Sequence, residues 1–108
     1  MKGEIWLIRI PSSDGHEQSG TRPAILIAQP HPNICILIPL TSNAVALRFP
    51  HTLEILPSKK NVLSVSSIAL VFQIRAIDKK RLERMIGTVE EDTLENVNDM
   101  ITEMLGIS

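Results

Sequence analysis

"GEIWLIRIPSSDGHEQSGTRPAILIAQ", Gly3 to Gln29, sets two apolar, β-branched runs on either side of about a dozen polar residues. The first run, Gly3–Ile10, is apolar at almost every position and predicts a strand buried on most of both faces. Pro11 stops it. The second, Pro23–Gln29, predicts a strand that begins with proline, where a missing N–H costs least. Pro30 and Pro32 end it. Two residues such as Asp14-Gly15 would suffice for a hairpin. The chain instead spends residues 11–22 on the connection, against a usual loop of about 4–6, and loops that long tend to be functional or disordered.

Outward from this pair the strands continue. "ICILIPLTS", Ile34–Ser42, predicts a third strand, with Pro39 inside it arguing for an edge position or a bulge. "FPHTLEIL" predicts a fourth. After the turn "PSKKN", "VLSVSSIALV" predicts a fifth that runs on into "FQIRAI". The period then changes. "DKKRLERMIG" predicts a short helix, Asp78 its N-cap and Gly87 its terminator. "EEDTLENVNDMITEMLG" predicts a longer one, with Leu94, Val97, Ile101, Met104 and Leu105 along one stripe, acids in its first turn and Gly106 at its close. Short strands followed by a packed helix imply a strongly bent antiparallel sheet or partly closed barrel.

The chain has 108 residues, the size of one domain. "ICILIPL" is its longest apolar run and is far below the roughly 20 residues that span a bilayer. No basic n-region precedes an apolar h-region. Cys35 is the single cysteine, so the expectation is a reduced, cytoplasmic protein with Cys35 as a small buried hydrophobe. The formal charge of −1 hides an uneven distribution. All 11 Lys and Arg precede residue 85, while the 12 acids divide equally about residue 90, so residues 1–89 carry +5 and residues 90–108 carry −6. A basic body can hold a phosphodiester chain whatever the net charge, and an acidic solvated helix face accounts for the tail.

His16, His31 and His51 lie far apart and Cys35 is alone, so no metal spacing and no cofactor are expected. Glycine-rich phosphate loops and serine nucleophile elbows are absent. Trp6, Phe49 and Phe72 are the only aromatics, too few for a binding platform built mainly on stacking. Left over are the loop His16-Glu17-Gln18-Ser19-Gly20-Thr21-Arg22 and the strand end Thr41-Ser42. One metal-free reaction suits them: attack of an RNA 2′-hydroxyl on the neighbouring phosphate. It needs a proton acceptor, a donor to the leaving oxygen and a fixed cation at the phosphorane. Arg22 offers the cation, Thr41 a hydroxyl for a phosphate oxygen, and His16 or Glu17 a proton exchanger. The same residues also read as surface groups: Arg22 paired with Glu17, Thr41-Ser42 as turn residues, His16 as a loop histidine. The residues alone leave both readings open.

"GHEQSGTRPAILIA" resembles the signature of the PemK/Kid/MazF-type toxins of bacterial type II toxin–antitoxin pairs, G-[HS]-E-Q-x-G-x-R-P before an apolar strand. The likeness continues in order along the chain, through "GEIWLI", "PLTS", "QIRAIDKKRL" and "MIGTVEEDTLENVNDMITEMLG". The resemblance implies a single domain over residues 1–108, a small SH3-like (CcdB/Kid/MazF-type) antiparallel barrel with one short helix and a longer C-terminal helix, and a homodimer. It implies a cytoplasmic, metal-independent, sequence-selective endoribonuclease that leaves 2′,3′-cyclic phosphate and 5′-hydroxyl ends on single-stranded messenger RNA. A cognate antitoxin would neutralise it. Carried over by position, Arg22 stabilises the phosphorane, Thr41 positions the phosphate and His16 assists as acid or base. Glu17, Gln18, Ser42, Phe72 and Gln73 contact substrate, and Pro23 fixes the strand entry below Arg22.

The pattern departs from the family in one place. In the Kid branch an Asp just before the family's Gln, and an Arg two positions earlier, share the proton work. Here Phe72 and Leu70 occupy those positions before Gln73. Phe72 offers a ring for base stacking in exchange. Two rival readings keep the fold: a gyrase-binding toxin, and a catalytically weakened protein-interaction module. The joint presence of Arg22 and Thr41 favours the nuclease.

Overall fold

The computed structural model of the chain describes residues 2–10 and 20–107, with the side chain of Ile10 outside that set. Seven strands form among the described residues: β1 (Glu4–Ile10), β2 (Gly20–His31), β3 (Ile34–Thr41), β4 (Thr52–Ile55), β5 (Ser67–Leu70), β6 (Arg75–Asp78) and β7 (Leu82–Thr88). The helix α1 (Glu91–Leu105) follows. Hydrogen-bonded neighbours run β4-β5-β3-β2-β1-β7, and β6 also pairs with β3. Every pairing is antiparallel. The expected architecture, mainly β with a C-terminal helix, is therefore present, and the sheet is not closed between β4 and β7.

Alternation along β2 explains why its central run, Ala24–Ile27, is apolar at every position. Ile25 and Ile27 join Ile5, Ile38, Leu40, Val71 and Val97 in one buried cluster. Ala24 and Leu26 join Ile8, Cys35, Leu37 and Ile77 in a second, on the opposite face. Buried Cys35 is a free thiol, and burial pushes it further toward the neutral form, as expected of a small hydrophobe.

The expectation for Pro39 needs correcting. β3 is an interior strand, and Pro39 pairs with Ala24 of β2. On its other side β3 meets β5 at Leu40 and Thr41 but β6 only at Ile34–Leu37, so Pro39 falls where no ladder bond is asked of it. The same gap breaks the expected continuous strand from Val62 into the "FQIRAI" segment. Three residues, Val71–Gln73, loop out as a 3-10 turn between β5 and β6, and the ladder with β3 resumes offset.

The short helix expected over Asp78–Gly87 is a second correction. Only Lys79–Arg81 coil, as a 3-10 turn capped by the Asp78 carboxylate, which accepts from the Lys80 N–H at 2.8 Å. From Leu82 the chain is strand, because Leu82, Arg84, Met85 and Gly87 all pair with β1. Tertiary pairing overrides the helical spacing.

α1 matches its expected limits closely. Val97 is fully buried, with Leu94, Met100, Ile101 and Met104 packed on the same core. Leu105, which the spacing had placed in the stripe, is 57% exposed, and Met100 takes its place. Gly106 adopts φ +70°. Its N–H reaches Glu103 O at 3.1 Å and Ile107 N–H reaches Thr102 O at 3.0 Å, a helix stop that needs a residue free of Cβ strain. No helix among the described residues is long and apolar enough to cross a membrane.

Candidate active site

The β2–β3 ladder brings the two main sequence candidates together. Its register pairs Ala24 with Pro39. Two residues further, in opposite chain directions, stand Arg22 on β2 and Thr41 at the end of β3, and both line one cleft of about 390 Å³. Ser42 lines it too. Leu7, Pro23, Leu40 and Ile86 supply apolar lining. The last side is residues 62–65, followed by Ser67.

Arg22 is exposed and has no ion pair or side-chain hydrogen bond among the described residues. Thr41 is half-buried, and its Oγ1 accepts the Asn43 N–H at 3.2 Å. A hydroxyl has one proton to donate. With an acceptor site already used by Asn43, the Thr41 O–H is free to turn toward a ligand oxygen in the cleft. Asn43 is itself fixed, its Oδ1 accepting the Val45 N–H at 3.0 Å as cap of the 3-10 turn Ala44–Arg48.

Sequence reasoning missed the wall opposite. The span expected to begin a strand at Val62 instead forms a loop around Asn61, which is fully buried. Asn61 Oδ1 accepts the N–H groups of Ser58 at 2.9 Å and Leu63 at 3.0 Å. Its Nδ2 donates to Leu56 O at 2.9 Å and to Glu90 Oε1 at 3.4 Å. The Ser58 hydroxyl donates to the other Glu90 oxygen and accepts the Asn61 N–H. β7 lies hard against this loop: a Cβ on Gly87 would sit 2.5 Å from Asn61 O, and Thr88 N–H donates to Lys60 O at 3.0 Å. Val62, next along, holds φ +58°, a left-handed conformation that a β-branched residue adopts only when its surroundings impose it. The turn residues of "PSKKN" were the available signal, since an Asn closing a turn is often the group that satisfies the turn's backbone.

The Ser58 hydrogen bond, with Asn61 and the Lys60 charge assisting, holds the Glu90 carboxyl below the usual carboxylate range. A group depressed by folding adds stability above its unfolded-chain pKa and loses it as pH falls through the folded value. Urea midpoints at neutral pH and at about pH 3 should therefore fall more for the wild type than for Glu90→Gln. Equal falls would remove Glu90 from the lock.

The remaining sequence candidates separate. Phe72 and Gln73 sit on the looped-out 3-10 turn and do not line the cleft, and Phe72 rests against Phe49 with ring centres 5.8 Å apart. His16, Glu17 and Gln18 lie outside the described residues. Among the described residues no group of three or more His, Cys, Asp or Glu is placed to hold a metal ion. A second hollow of about 610 Å³, along Lys2 and Leu26–Pro32, is larger but holds no pairing of arginine with hydroxyl.

A cation and a hydroxyl stand at adjacent strand ends over a partly apolar cleft, an arrangement with the chemistry to receive an anionic ester. Comparison with known proteins places the chain more narrowly. The family model for PemK-like, MazF-like toxins of type II toxin–antitoxin systems matches residues 1–105. The fold superposes on the MazE–MazF structure (Form-II) from Deinococcus radiodurans with a TM-score of 0.80 and 26% identity, covering 99% of this chain and 96% of that one. MazF (Form-I) from the same organism gives 0.75 and 25%, covering 98% and 96%. An endoribonuclease in complex with its cognate antitoxin, from a Mycobacterial species, shares the fold at 0.75 and 16% identity, covering 100% and 94%. With nearly its whole length matched by the family model, the chain belongs to the PemK-like, MazF-like toxins of type II toxin–antitoxin systems.

Proposed function

We propose that this toxin is an endoribonuclease that cleaves single-stranded messenger RNA at selected sequences without a metal. Arg22 and Thr41 lining one cleft is the observation that carries the reading. The 2′-hydroxyl oxygen attacks the adjacent phosphorus while its proton passes to a base, for which His16 is the candidate. The P–O5′ bond breaks, the 5′-oxygen takes up a proton, and a 2′,3′-cyclic phosphate and a 5′-hydroxyl result. Arg22 faces the charge that grows on the phosphorane, where a preorganised fork of donors acts with most effect. The Thr41 hydroxyl donates to a non-bridging oxygen. Glu17, Gln18 and Ser42 hold the strand, and residues 1–108 act as one toxin domain, paired as a homodimer in the cytoplasm.

A cognate antitoxin is the second partner. Family membership supports it, as do relatives crystallised as MazE–MazF and as an endoribonuclease with its cognate antitoxin. Leu70 and Phe72, where the Kid branch has Arg and Asp, leave the proton work to the Arg22 side of the site.

Thr41→Val tests the hydroxyl. Valine keeps the shape and the neighbouring Asn43 N–H turns to water, so the melting temperature should barely move. Loss of one charge-assisted hydrogen bond should lower kcat about 10–100-fold. Wild-type initial rates from the valine variant would remove Thr41 from the mechanism.

A further inference from the structure

The cleft does not end at its apolar lining. Leu7 brings one face of β1 to it. Residues two apart on a strand share a face, as do residues opposite each other on paired strands. Arg9 lies two residues beyond Leu7, and Arg84 of β7 stands opposite Leu7 in the ladder. The surface that closes one side of the cleft therefore continues as arginine. Pro23, opposite Leu7, carries this face onto β2, and Arg22, opposite Ile8, borders the cleft one residue further on.

Both groups are available. Arg84 is exposed and has no ion pair or side-chain hydrogen bond among the described residues. Arg9 Nε meets Glu83 Oε1 at 3.3 Å, with the side chains 64% and 38% exposed. Pairs that open to water contribute little and exchange partners readily. Arg81 adds a third guanidinium, its Nε donating to Arg9 O at 3.1 Å and fixing it beside the end of β1.

We propose that Arg9 and Arg84 form a phosphate track, which carries the RNA strand out of the cleft along the β1–β7 edge. They grip phosphates flanking the scissile one, and Glu83 holds Arg9 in place until RNA displaces it. The assignment rests on the RNA-cleaving reading above. Continuity with the Leu7 and Pro23 lining of the cleft, and the match of guanidinium forks to phosphate oxygens, favour RNA over an acidic protein. Arg9 and Arg84 are positioning residues and leave the chemical step to Arg22 and Thr41.

The test is binding of a 2′-O-methyl RNA of about 20 nucleotides, which cannot be cleaved, across a salt series. Removing one arginine that neutralises a phosphate should flatten the slope of log K against log salt by about 0.7, so Arg9→Ala/Arg84→Ala should be shallower than wild type by about 1.4. Lysine at both positions should restore most of the slope. Glu83→Gln, which frees Arg9, should bind more tightly than wild type, a gain that a folding defect cannot imitate. On cleavable RNA the alanine pair should raise KM and leave kcat unchanged. A wild-type slope from the alanine pair, or a fall in kcat alone, overturns the track while the nuclease reading stands. Wild-type protein that neither binds nor cuts RNA would defeat both. Polyglutamate that competes as well as RNA of equal charge would assign the surface to an acidic protein and overturn the track.

Discussion

Arg22→Ala is expected to lower kcat/KM roughly 10²–10³-fold while the protein melts at its wild-type temperature. The two halves of that expectation come from different observations. Arg22 is exposed and makes no ion pair or side-chain hydrogen bond among the described residues, so truncating it breaks no such contact among them. It also lines the cleft with the Thr41 hydroxyl, and in the proposed reaction a fixed positive charge there would serve the phosphorane far more than the ground state. Arg22→Lys should recover only part of the loss, because an ammonium keeps the charge but not the planar fork. Rates on one RNA substrate beside thermal melts of the same preparations check both halves. An alanine variant that cuts at the wild-type rate would move the catalytic charge elsewhere.

Asn61→Ala should give the largest loss of stability, about 3–5 kcal/mol. Truncation removes the acceptor of the Ser58 and Leu63 N–H groups and the donor to Leu56 O and Glu90, at a side chain with no solvent exposure. Each buried group left unpaired costs about 1–3 kcal/mol, and partial access of water keeps the sum below simple addition. The consequence reaches the site. Val62 stands next to Asn61 with a backbone conformation worth about 1–3 kcal/mol of strain, and nothing would hold it once the hub is gone. The cleft wall should relax, and the surviving folded fraction should cut RNA more slowly. Asn61→Asp keeps the acceptor for the two N–H groups but sets a buried oxygen against the Leu56 carbonyl and the Glu90 carboxylate, so at neutral pH it should be at least as destabilising as alanine. Urea unfolding of the three proteins measures the loss, and a midpoint for Asn61→Ala near wild type would contradict the hub.

Local chemistry explains what the sequence made legible. β1, β2 and α1 each carry their own pattern: two β-branched runs, and an apolar stripe that begins with acids and stops at Gly106. β2 nonetheless extends past the expected proline limits, from Gly20 through Pro23 and Pro30 to His31. The errors arose where partners distant in sequence decide. Asp78–Gly87 has helical spacing, yet β1 recruits Leu82–Thr88 as a strand. Pro39 suggests an edge, yet it sits in an interior strand because β5 and β6 divide the neighbouring side between them. The site shows the same division. Arg22, Thr41 and Ser42 are legible as polar groups at strand ends and line one cleft, whereas Phe72 and Gln73, which the resemblance implies contact substrate, are not among its lining residues. Asn61 escaped because a buried Asn takes its role from backbone groups that only folding assembles around it.

End-group analysis of the products tests the central claim most directly. Long single-stranded RNA, incubated with purified protein in excess EDTA, should yield discrete fragments with 2′,3′-cyclic phosphate and 5′-hydroxyl termini, absent with Arg22→Ala. Fragments ending in 3′-hydroxyl and 5′-phosphate, activity abolished by the chelator, or intact RNA beside folded wild-type protein would contradict it.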